Sequence, residues 1–88
     1  HDRIVLDGEF TIVETTVPDD LVGRPLNECG LRHKYHLNVV TIKRDTEDKT
    51  SQEILGVPYG DTMIEKHDTL VLFGKSGDIK IFLEDQDQ

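Results

Sequence analysis

The chain has 88 residues, of which 35% are apolar and 32% charged, and its 18 acidic against 10 basic residues leave a net charge of −8. That length allows one domain with a modest core, which association with a second copy would reinforce. The acidic balance argues against a nucleic-acid partner, which needs a basic stripe to neutralise phosphates, and no apolar run approaches the roughly 20 residues that cross a bilayer.

Residues 1–8 read as a lead-in from an upstream domain. The chain opens at His1 and its single methionine is Met63, so it is expected to be a piece of a longer protein. EFTIVETTV (9–17) is rich in Thr, Val and Ile and predicts a strand, with Phe10 and Ile12 alternating with Thr11 and Val13. Pro18 ends it, since proline cannot donate to a sheet ladder. PDDL (18–21) suits a short helical turn, and Gly23 breaks it.

RPLNECGLRHKY (24–35) predicts a helix with Pro25 in its first turn. Gly30 is its weak point, marking a break or a close packing contact. LNVVTIKR (37–44) is β-branched and predicts a strand. DTEDKTSQE (45–53) predicts a polar loop, and EILGVP (53–58) a short strand ended by Gly56 and Pro58. After a turn, TLVLFG (69–74) predicts another strand. GDIKIFLED (77–85) fits both periods: Ile79, Phe82 and Leu83 have helical spacing, whereas Ile79, Ile81 and Leu83 alternate. GKSGD (74–78) reads as the turn before the last helix rather than a phosphate cradle, and the acidic residues 84–88 as a solvated tail. The expected fold is α+β: one small β-sheet carrying two helices, in the order β-α-β-β-β-α.

Three constellations carry chemistry. Cys29, His33 and His36 stand at i, i+4 and i+7, which one uninterrupted helix would place on a single zinc-binding face. The plainer reading packs Cys29 in the core and leaves both histidines as surface polar groups. A nucleophilic Cys29 would need a base and an orienting third group, and the sequence supplies no third group. The single cysteine cannot form an internal disulfide, which suits a reducing compartment.

The third is Arg32 with Asn38. Arg32 offers a planar five-donor fork suited to phosphate, and Asn38 offers an amide suited to a base edge or a backbone. Leu31, Val39 and Val40 would wall such a site against a flat ring. The plainer alternative pairs Arg32 with an acidic neighbour and leaves Asn38 to satisfy a loop.

The order Val17-Pro18, Leu21, Gly23, Leu26, Leu31-Arg32, Tyr35, Asn38-Val39-Val40, Ile42-Lys43-Arg44 resembles the opening half of the TrkA-C, or RCK C-terminal, domain. Pro58, Ile64, His67-Asp68, Leu70, Leu72, Gly74, Ile79 and Phe82 resemble its second half, so the likeness spans residues 9–83. The resemblance implies a non-enzymatic, cytoplasmic, homodimeric regulatory domain. It would follow an RCK N-terminal domain and serve a membrane potassium or other cation channel or transporter. It implies no cofactor, but in one branch a regulatory ligand, cyclic di-AMP, in the dimer cleft. Carried over residue by residue, the phosphate contact falls on Arg32 and the polar contact on Asn38. The apolar cleft positions fall on Leu26, Leu31, Val39, Val40 and Pro58. Lys34 stands where that branch often has a small residue, so its cation would add a phosphate contact or obstruct the adenine. The family commonly has Gly where His67 stands, and Asp or Gly where His36 stands. The first departure predicts a turn that does not need positive φ. The alternative reading is a structural dimerisation module of another transporter, such as an antiporter or an anion carrier, with a different ligand or none.

Overall fold

The computed structural model describes residues 2–86. Five strands form one antiparallel sheet in the order β1-β2-β5-β3-β4: β1 Asp2–Val5, β2 Phe10–Thr16, β3 Asn38–Asp45, β4 Gln52–Ile54 and β5 Thr69–Lys75. Two helices, α1 Leu31–Tyr35 and α2 Ser76–Gln86, complete the α+β architecture. The expected order holds, with one strand added in front. β1 pairs with β2 from Asp2 opposite Glu14 to Val5 opposite Thr11, in a stretch read from sequence as a lead-in. Its turn closes on Asp7, whose carboxylate accepts the N–H groups of Glu9 and Phe10 at 2.8 and 2.9 Å.

The period-2 pattern of β2 puts Thr11, Val13 and Thr15 on the buried face. Val13 lies opposite Leu72, and Thr15 opposite Leu70. Ile42 of β3 also meets Leu70. On this face α2 buries Ile79 and Phe82, with Leu83 packed alongside. Helical spacing therefore wins over alternation at 77–85, and Ile81 is left exposed. Residues 84–86, read as tail, belong to α2. The stretch 74–78 forms no separate turn: Gly74 and Lys75 end β5, Ser76 begins α2, and the Ser76 hydroxyl meets that of Thr11 at 2.6 Å.

The predicted helix over 24–35 is divided. Leu26–Glu28 forms a 3₁₀ turn, Gly30 adopts a left-handed φ of 72°, and only then does α1 begin. Gly74 is required for a different reason. A Cβ there would stand 2.5 Å from Leu37 Cδ2, and Leu37 is too deeply buried to yield. The strand is thus notched to let the α1–β3 crossing pack on it. β3 carries a bulge between Val39, opposite Leu72, and Thr41, opposite Val71, so Val40 is the extra residue.

The polar loop expected over 45–53 is a hairpin turn shortened at both ends, since Asp45 closes β3 and the strand expected over 53–58 lies at Gln52–Ile54. The Asp48 carboxylate accepts from the Thr46 and Thr50 hydroxyls and the Thr50 N–H, and these bonds hold it below the usual carboxylate range. Residues 57–68 return to β5 with little regular structure. A fully buried Asp68 holds their end, accepting Arg44 Nε and Nη2 at 2.9 Å each and the Glu65 N–H at 2.8 Å. Arg44 also donates to the Met63 carbonyl at 3.0 Å and pairs with Glu65 at 2.8 Å.

Candidate ligand cleft

α1 is one turn long, too short to be stable alone, and the core anchors it through the buried Leu31. His36, at φ 59°, ends it, and the N–H groups of His36 and Leu37 return to the carbonyls of Arg32 and Leu31 at 3.1 and 2.9 Å. This tight reversal brings Asn38, the first residue of β3, back beside Arg32. Arg32 Nη2 donates to Asn38 Oδ1 at 2.9 Å. One bond engages one donor of the fork and orients the guanidinium, leaving its other N–H groups for a ligand.

The pair stands at the rim of an open cleft of about 360 Å³. Leu26, Leu31, Leu37 and Val39 supply apolar wall from one side, and Pro58, Tyr59 and Gly60 form the other. The two sides are bolted together. The Leu26 N–H donates to the Thr62 carbonyl at 3.0 Å, and the Asn27 N–H to the Gly60 carbonyl at 2.9 Å. The volume lies at the low end of the range for small-molecule sites, and one planar fork beside apolar walls suits a phosphate attached to a flat ring.

Six of the seven residues named from sequence line this cleft: Arg32, Asn38, Leu26, Leu31, Val39 and Pro58. Val40 does not, because the bulge places it outside the lining, where it is exposed. Lys34 is also absent from the lining. Its ammonium lies over the Tyr35 ring, 5.2 Å from the centroid. His33 takes the lining position beside Arg32. Asn27, Tyr59 and Gly60 were not singled out from sequence, since the backbone bonds joining 26–27 to 60–62 bridge segments more than thirty residues apart.

The other two constellations do not assemble. Gly30 interrupts the helix that would have aligned Cys29, His33 and His36, and among the described residues no group of three or more His, Cys, Asp or Glu is placed to hold a metal ion. The Cys29 thiol donates to the Pro25 carbonyl at 3.4 Å, and burial pushes its pKa up against the opposing pull of Arg24. A nucleophilic cysteine needs the opposite shift.

The TrkA-C domain family model matches residues 10–85. The chain belongs to the TrkA-C domain family. Ktr system potassium uptake protein C of Bacillus subtilis (strain 168) is 31% identical over 81 residues, covering 92% of this chain and 34% of that protein. K(+)/H(+) antiporter subunit KhtT of the same organism is 38% identical over 64 residues, 73% of this chain and 36% of that one. The TrkA-C chain thus spans about a third of the length of these curated relatives. Among solved structures, the RCK C domain of potassium transport protein KtrA, in complex with cyclic diadenosine monophosphate, has the same fold. Its TM-score is 0.71 at 24% identity, covering 84% of this chain and 80% of that one.

Proposed function

We propose that this TrkA-C domain is a cytoplasmic, dimerising regulatory unit of a potassium or other cation transport system, and that two copies of its cleft together hold one cyclic dinucleotide of the cyclic di-AMP class. The observation that carries the reading is the Arg32–Asn38 pair, fixed at 2.9 Å on the rim of an apolar-walled cleft. A small open cleft on one chain suits half of a shared site. Both curated relatives are named for potassium movement, and the solved RCK C domain of like fold is a complex with that dinucleotide. In this reading an RCK N-terminal domain precedes the chain, and a separate membrane protein carries the ion. No helix among the described residues is long and apolar enough to cross a membrane. A ligand seated across two chains favours the arrangement in which both half-sites meet, and it shifts the transporter only by its differential affinity for two states. The likeness to the antiporter subunit favours an antiporter as the second candidate system.

The test is isothermal titration of the 88-residue chain with cyclic di-AMP, with ATP as control. The expected result is saturable heat with cyclic di-AMP. Arg32→Ala should weaken binding by about tenfold or more, as expected when one charge-assisted partner of a phosphate is removed, with an unchanged melting temperature. No heat with cyclic di-AMP, or equal affinity in Arg32→Ala, overturns the reading.

A further inference from the structure

The turn facing α1 across the cleft presents an aromatic ring that the Arg32–Asn38 pair does not use. Tyr59 is 72% exposed, yet it lines the cleft. Its backbone is firmly held. The Tyr59 N–H donates to Thr62 Oγ1 at 2.9 Å, and its carbonyl accepts the Thr62 N–H at 3.0 Å. The next residue, Gly60, accepts the Asn27 N–H at 2.9 Å, and a Cβ on Gly60 would lie 3.4 Å from the Asn27 side chain. The turn is therefore seated closely on the 3₁₀ segment and has little room to shift.

An exposed tyrosine alone needs no explanation. This one stands on a fixed backbone at the mouth of a cleft whose other rim carries a guanidinium. Tyrosine has few rotatable bonds, so little entropy is lost when a flat ligand rests on it. Its π-face accepts any planar base, more strongly as the stacked area grows.

We infer that Tyr59 is a specificity-determining residue of the cleft: its ring stacks on the heteroaromatic ring of a ligand whose phosphate Arg32 takes, and it favours purine-bearing over pyrimidine-bearing ligands. The inference rests on the nucleotide reading of the cleft and adds the source of base preference.

The test compares cyclic di-AMP with cyclic di-UMP by calorimetry on the 88-residue chain, using Tyr59→Phe, Tyr59→Leu and Tyr59→Ala. Tyr59→Phe should stay within about twofold of the original affinity for cyclic di-AMP. Tyr59→Ala should lose about tenfold or more, in keeping with stacking energies per base, and should lose less toward cyclic di-UMP, so the purine preference narrows. Tyr59→Leu, which keeps apolar bulk without a π-face, should behave like Tyr59→Ala. Binding of cyclic di-AMP with an unchanged preference in Tyr59→Ala and Tyr59→Leu overturns the role of Tyr59 and leaves the cleft reading standing. An equal loss toward both ligands marks a structural role and also overturns it. Absence of binding by the unsubstituted chain overturns both.

Discussion

Two histidines hold backbone conformations that suit other residues better. His67 has φ 72° and His36 has φ 59°, both left-handed. His67 stands where the family commonly has Gly, which predicts a turn that does not need positive φ; the turn keeps that φ and carries a histidine in it. The Asp68 N–H returns to the Glu65 carbonyl at 3.1 Å, so His67 occupies the third position of a four-residue turn, where a positive φ is ordinary and glycine is preferred. A side chain in this region is strained, while glycine loses more entropy on folding. The difference favours His67→Gly by about 0.5–1 kcal/mol. Urea denaturation should show the midpoint rising; an unchanged or lower midpoint would contradict this account of the turn.

At the scale of elements, the segment 57–68 matters most, because it forms one wall of the cleft and has little regular structure. Arg44 on β3 and the buried Asp68 hold its C-terminal end, while backbone bonds to residues 23–27 hold its middle. Asp68→Ala would strand the Arg44 fork and release the Met63 and Glu65 contacts, at a cost of about 2–4 kcal/mol. Guanidinium denaturation measures it, and a loss below about 1 kcal/mol would show that the wall is held by apolar packing instead. A second brace is independent of this one. The Tyr35 hydroxyl donates to Asp85 at 2.7 Å, and its ring meets Phe82 edge-on, tying α1 to α2. The strands with local signals were legible: alternation marked β2, and the β-branched run marked β3. β1 was not, because DRIV is short and gains its partner only through the hairpin turn at Asp7. The helix expected over 24–35 divides at Gly30, its weak point in the sequence, because the left-handed φ there ends one turn and starts another.

For the molecule as a whole, the sheet is a platform that delivers a guanidinium, an amide and an apolar wall to one place. Much of that site was legible because Arg32 and Asn38 lie six residues apart, joined by a tight helix-to-strand reversal. Val40 falls outside the lining because of a bulge that has no signature in an apolar run. Tyr59 was missed because long-range backbone bonds, among them those from Leu26 and Asn27, bring its turn to the cleft. The proposed sharing of one ligand by two such clefts is a question of stoichiometry. Native mass spectrometry of the 10.0 kDa chain titrated with cyclic di-AMP tests it most directly. The account predicts a dominant species of two chains carrying one dinucleotide, lost in Arg32→Ala. A species of one chain with one dinucleotide, or two chains that never take up ligand, would contradict it.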